Sequence, residues 1–121
     1  MQEEIPWVYY VSGTGRRTVF KEIQKLALNQ RELFQLEELL LRISTKSTTR
    51  HDVDFLGRGI WEARLRLSNR QIRMLYAENI TPRLFLALLA AVKKTQKTPP
   101  QWIDTARARH KEWLYRLGAR P

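Results

Sequence analysis

The chain contains no cysteine. That absence removes disulfides, thiolate zinc sites and cysteine nucleophiles together, and it fits a reducing compartment. Histidine is scarce as well: the only two, His51 and His110, stand far apart. Neither a two-histidine ribonuclease site nor a zinc centre is expected from such a set. Asp52 and Asp54 lie two residues apart, which is too little for a metal nuclease, so neither a metal nor a small-molecule cofactor is expected. The stretch SGTGRR (12–17) lacks the spacing and the lysine of a phosphate-binding P-loop. No apolar run nears the ~20 residues that a membrane span needs. The opening MQEEIP is acidic and polar rather than a basic stretch before an apolar one, so no secretory signal is expected. These absences point to a cytoplasmic protein with no membrane partner.

What the chain does have is positive charge. Lys and Arg number 22 against 12 Asp and Glu, for a net charge of +10. This exceeds what a small domain needs for solubility. A polyanionic partner, either nucleic acid or an acidic protein, is the natural reading. Hydrophobic residues make up 43% of the chain, which marks a folded protein rather than a disordered tail. Its 121 residues fit one compact domain over 1–121, with a core that needs no disulfide.

The periodicity predicts an order of strand, helix, helix, strand, strand, strand, helix. WVYYV (7–11) is aromatic and β-branched, as a short strand is. From Arg16 the apolar spacing turns helical, through Val19, Phe20, Ile23, Leu26 and Ala27. Asn29 with Glu32 three residues on reads as a capping box for a second helix. Its apolar stripe is Leu33, Leu36, Leu40 and Ile43, widened by Phe34, Leu39 and Leu41. STKSTTRHD (44–52) is a polar loop without period that carries Lys46, Arg50 and His51. After VDFL, Gly57 and Gly59 mark a turn or bulge.

IWEARLRL (60–67) alternates cleanly. Trp61, Ala63, Leu65 and Leu67 face one way; Glu62, Arg64 and Arg66 face the other. In QIRMLYA (71–77), Ile72, Met74 and Tyr76 share a face, with Arg73 opposite. The apolar faces of the two strands must match, so the loop between them holds an even number of residues. A two-residue turn at Asn69–Arg70 satisfies this, and so would four residues. In either case Arg64, Arg66 and Arg73 share a face beside Glu62. LFLALLAAV (84–92) is apolar on both faces and reads as a central strand. Its leucine and alanine content also suits a buried helix; its place after two strands favours the strand. Thr98 and Pro99 read as the N-cap and first residue of a last helix. Trp102, Ile103, Ala106, Trp113, Leu114 and Leu117 form its apolar face, and Gly118 can end it. Segregated helices and strands imply an α+β domain with a small, largely antiparallel sheet. Lys93, Lys94 and Lys97 would then project from the end of the central strand, beside the arginine face. Together these groups could line a basic groove for a phosphate backbone.

Four segments carry a family likeness: GIWEARL (59–65), IRMLYAE (72–78), KKTQKTPP (93–100) and IDTARARHKEW (103–113). In this order, and over nearly the whole chain, they resemble the RelE/ParE-superfamily toxins, specifically the phage-derived HigB-like branch. The resemblance implies a RelE-like fold with an N-terminal helical hairpin and a C-terminal helix. It also implies the toxin of a type II toxin–antitoxin pair. Many such toxins are metal-independent endoribonucleases (mRNA interferases) that cut messenger RNA on the ribosome and so inhibit translation; related members poison DNA gyrase. A plain basic nucleic-acid-binding module is the third reading. The expected partners are a cognate antitoxin, of helix-turn-helix type, and ribosome-bound mRNA. By resemblance, Arg64, Arg73, Lys94 and Glu62 form the catalytic set. Lys93, Lys97, Arg66, Lys46, Arg50 and His51 are expected to contact RNA. Tyr76 matches the family tyrosine, but its place on the apolar face favours a core role.

Cleavage without metal would proceed by attack of a ribose 2′-hydroxyl on the adjacent phosphate. Such a site must align the hydroxyl and neutralise charge on phosphorus. Arginine is too basic to accept the proton. A lysine of depressed pKa, Glu62 and His51 all stay open. Relatives often carry a histidine and an aromatic residue just before the lysine pair. Here Leu89, Ala90, Ala91 and Val92 stand there.

Overall fold

The computed structural model describes residues 4–118. Residues 1–3 and 119–121, which the expected domain included, lie outside the described residues. The elements run β1 (Trp7–Tyr9), α1 (Thr18–Lys25), α2 (Gln30–Ser44), β2 (Val53–Gly57), β3 (Ile60–Arg66), β4 (Gln71–Asn79), β5 (Leu84–Lys93) and α3 (Pro100–Gly118). The five strands form one sheet in the order β1-β5-β4-β3-β2. Only β1 runs parallel to its neighbour; the other pairings are antiparallel. This is the expected α+β architecture with one strand more than the periodicity indicates. The additional strand, β2, is an edge strand whose residues are all half-buried or exposed, so it shows no burial alternation to read.

The β3–β4 hairpin keeps the expected faces with a different register. Leu65 pairs with Ile72, Ala63 with Met74 and Trp61 with Tyr76. Leu67 N–H donates to the Arg70 carbonyl at 2.9 Å. The two-residue turn is therefore Ser68–Asn69, one position earlier than Asn69–Arg70. The shift moves the pairing by two residues, and a two-residue shift leaves every side chain on its face.

Each face of the sheet is covered by a different helix. On the Tyr76 face, Trp7, Tyr76 and Phe85 pack ring against ring with centroids 5.2–5.7 Å apart. The Trp7 indole N–H donates to the Leu40 carbonyl at 3.0 Å and fastens α2 there. Leu36, Leu39, Leu40 and Ile43 are the buried stripe of α2. Leu33, expected in that stripe, and Phe34 and Leu41, expected to widen it, are exposed. The Asn29–Glu32 capping box is present in both directions, at 2.8 and 3.0 Å. On the opposite face, α3 packs against β5, β4 and β3, and its Ala106 is fully buried. Leu114 of that helix, expected on its apolar face, is exposed.

Beyond the three residues of β1, the outer edge of β5 is closed by side chains. The Glu22 carboxylate of α1 accepts Ala90 N–H at 3.0 Å, and the Arg109 guanidinium of α3 donates to the Leu88 carbonyl at 2.8 Å. These two side chains pair with each other at 2.9 Å. They supply the bonds that a longer β1 would make. Among the described residues, no helix is long and apolar enough to cross a membrane.

Candidate nucleic-acid interface

The α3-side face of the sheet changes character along the strands. Register places Glu62, Arg64 and Arg66 of β3, Gln71 and Arg73 of β4, and Lys93 of β5 on this one face. Arg64 stands directly opposite Arg73, a like-charge pairing that costs stability unless it is compensated. Glu62 provides the compensation. Its carboxylate is 2% exposed, lies 3.5 Å from Nε of both Arg64 and Arg73, and accepts the Thr98 hydroxyl. Thr98 therefore serves the buried carboxylate, and the last helix starts at Pro100, one position later than expected. Proline still fills the first helical position, where its missing N–H is no loss.

Arg73 is the most deeply placed cation of the group, at 3% exposure. Its Nη2 donates to the Gln71 side chain at 2.8 Å and Nη1 to the Ile72 carbonyl at 3.3 Å, while Nε has no hydrogen-bond partner. Burial pulls its guanidinium below the ordinary arginine range. Glu62 opposes that shift, and Arg64 and Arg66 reinforce it. Arg64 is held from its outer side as well, by Asp54 of β2 at 3.0 Å.

These groups open into a pocket of about 630 Å³ lined by Arg64, Arg66, Arg70, Gln71, Arg73, Lys93, Lys94, Thr95 and Gln96. Among the described residues, Arg66, Lys93 and Lys94 have no carboxylate partner. The Lys93 amine is pulled below the ordinary lysine range, first by burial and next by Arg73. Glu62 opposes this, and Arg64 and Arg66 add to it. A pocket of this size admits a nucleotide-sized group, and fixed guanidinium forks suit phosphate oxygens.

The expected site residues thus divide. Arg64, Arg66, Arg73, Lys93 and Lys94 line one pocket. Glu62 lies beneath it and holds two of its arginines. Lys97 is exposed and outside the lining. Lys46 lies on the other face of the sheet, bonded to Glu78 at 2.8 Å and 5.0 Å from the Phe85 ring centroid. Arg50 joins none of these groups. His51 belongs to a neighbouring hollow with Gln35, Glu38, Arg42, Asp52, Arg64, Leu65 and Arg66. Tyr76 is 3% exposed within its aromatic cluster on the face away from the pocket.

Sequence reasoning assigned Arg70 only to a turn. It lines the pocket and also donates to the Leu26 carbonyl at 2.5 Å and to Glu32 at 3.2 Å. His110 lies half-buried on α3, where burial lowers its pKa, in a separate hollow with Arg58, Arg107 and Lys111. Among the described residues, no three His, Asp or Glu side chains are grouped to hold a metal ion.

Comparison with known proteins adds one finding. The model of a family described as phage derived protein Gp49-like (DUF891) matches residues 16–111. The chain belongs to this phage-derived family, a toxin-like family of toxin–antitoxin systems, and membership implies a cognate antitoxin. No curated protein matches the chain.

Proposed function

We propose that this member of the Gp49-like family is the toxin of a type II toxin–antitoxin pair that cuts messenger RNA on the ribosome and thereby halts translation. The observation that carries the reading is the basic pocket. Four residues nominated from resemblance, Arg64, Arg73, Lys93 and Lys94, and Arg66 from the strand alternation converge on it, from three strands and the residue that follows the last of them. One of them is a buried arginine whose Nε has no hydrogen-bond partner. A phosphodiester would relieve repulsion among the cations that line the pocket. The RelE-like likeness of the β3, β4 and lysine segments supports the same reading. The reaction needs alignment of a ribose hydroxyl and neutralisation of charge on phosphorus, which fixed arginines provide. The antitoxin, of helix-turn-helix type, would silence the toxin by laying an acidic or amphipathic segment over the pocket.

A second reading, a non-nucleolytic toxin acting on DNA gyrase, is favoured by one specific feature. Where relatives often place a histidine and an aromatic residue, Leu89 and Ala90 are buried in the core and offer nothing to stack on a base. Inducing the protein in growing cells separates the two. Primer extension on transcripts is expected to show cuts within translated regions, with intact DNA. Broken DNA with intact transcripts overturns ribonuclease action in favour of gyrase. Salt-sensitive binding without growth arrest reduces the protein to a basic binding module.

A further inference from the structure

The arrangement also identifies which group moves the proton, an inference that rests on the RNA-cleavage reading. Glu62 is poorly placed for it: its carboxylate is buried and shared among Arg64, Arg73 and Thr98, and it does not line the pocket. His51 opens into the neighbouring hollow, which meets the pocket only through Arg64 and Arg66. The arginines stay protonated at any working pH. Two amines line the pocket, Lys93 and Lys94. They differ in setting. Lys94 is exposed and follows the last strand residue. Lys93 is half-buried and is itself that last residue. Lys93 pairs with Gln71 across the ladder, which sets it diagonally from Arg73 on the same face.

We propose that Lys93, rather than Lys94, accepts the proton of the attacking ribose 2′-hydroxyl. The charged groups facing it are Arg73 from β4, Arg64, Arg66 and Glu62 from β3, Arg70 from the β3–β4 turn and Lys94 next in the chain. Five cations against three carboxylates, Glu62 between Arg64 and Arg73, Asp54 on Arg64 and Glu32 on Arg70, disfavour a further charge on the amine. In the step itself the 2′-O–H bond breaks and its proton passes to Nζ of Lys93. The 2′-oxygen forms a bond to phosphorus, and the bond from phosphorus to the 5′-oxygen breaks. The departing oxygen takes a proton from solvent or from Lys93, leaving a 2′,3′-cyclic phosphate and a 5′-hydroxyl. Negative charge grows on the phosphoryl oxygens as Lys93 becomes an ammonium, so the transfer becomes more favourable as the reaction advances. Arg73, fixed by burial, holds the phosphoryl oxygens while this happens.

The test compares Lys93→Arg with Lys94→Arg in single-turnover cleavage of a defined message on programmed ribosomes. Arginine keeps the positive charge but cannot act as the acceptor. Wild-type cleavage is expected to rise with pH and level off as the Lys93 amine becomes neutral. Lys93→Arg is expected to cut about 10²–10⁴-fold more slowly, to lose that rising limb, and to keep its half-saturating concentration. Lys94→Arg is expected to retain the wild-type pH profile. Lys93→Met, which keeps the stem but not the amine, is expected to lose cleavage too, and urea unfolding of each variant reports whether the fold survives. Lys93→Arg cutting within a few-fold of wild type on the same pH profile overturns the assignment to Lys93 alone. Wild-type protein that leaves the ribosome-bound message intact overturns the cleavage reading beneath it.

Discussion

Leu75 and Arg73 are neighbours on one strand and on one face of the sheet, and both are buried, at 0% and 3% exposure. They are buried by opposite means. Leu75 lies in the half of the face that α3 covers, paired with Leu89 of β5. Its burial is favourable in itself, because apolar area leaves water. Arg73 lies in the half beyond the helix and faces Arg64 across the ladder. Its burial is unfavourable in itself and is compensated by one carboxylate, Glu62. The covered half therefore contributes stability. The open half uses some of that stability to hold cations in a fixed array.

The sharpest way to break this contrast is to remove its central carboxylate. Glu62→Ala leaves Arg73 buried without a counter-charge, and loss of one partner of a buried pair costs about 3–5 kcal/mol. Leu75→Ala in the covered half costs about 2–5 kcal/mol from lost transfer energy and cavity formation. Urea unfolding measures both. RNA affinity separates them: Glu62→Ala is expected to weaken it by loosening Arg64 and Arg73, and Leu75→Ala to leave it unchanged in the folded fraction. A loss below about 1 kcal/mol in Glu62→Ala would place it among surface ion pairs and end the contrast.

The two halves were unequally legible in the sequence. Alternation in IWEARLRL and QIRMLYA separates apolar from charged faces, and parity survives a two-residue error in register, so the arginine face could be read without knowing the turn. What alternation cannot report is depth. Nothing in the spacing shows that Glu62 and Arg73 are buried while Arg66 is exposed, because depth depends on where α3 begins and which strands lie alongside. The loop cations Lys46, Arg50 and His51 had no period to place them, and they fall outside the pocket. The Arg70 bonds to Leu26 and Glu32 span 44 and 38 residues. Bonds across that separation leave no local trace.

A smaller effect sharpens the open half. Arg66→Ala with Lys94→Ala removes two cations that have no carboxylate partner, so stability is expected to stay within about 0.5 kcal/mol of wild type. Binding to single-stranded RNA is expected to weaken, and the slope of log affinity against log salt to fall by about 0.7 for each phosphate that is no longer neutralised. Titration at several salt concentrations reads both. An unchanged slope would mean that neither cation meets phosphate and that the RNA path leaves the pocket by another side.

The smallest effect lies at the border of the two halves, and it tests where the border runs. Asp52 precedes β2 and accepts two bonds from Arg42 at 3.1 Å and one from Thr49 N–H at 3.0 Å, tying down the loop that carries Arg50 and His51. The Arg42 side-chain bond, first, and then the Thr49 bond hold its carboxyl below the ordinary range against the opposing effect of burial. A carboxylate lowered in the folded state contributes stability above its unfolded pKa of about 3.9, and that contribution disappears as pH falls through the folded value. Arg42 is 41% exposed, so screening keeps the pair near the surface range of about 0.2–1 kcal/mol. Asp52→Asn is therefore expected to unfold earlier in urea than wild type at neutral pH and together with it in strong acid. RNA affinity is expected to stay the same, because neither Asp52 nor His51 lines the pocket. If Asp52→Asn weakens RNA binding as well, the loop belongs to the functional half, and the border must be redrawn along α2.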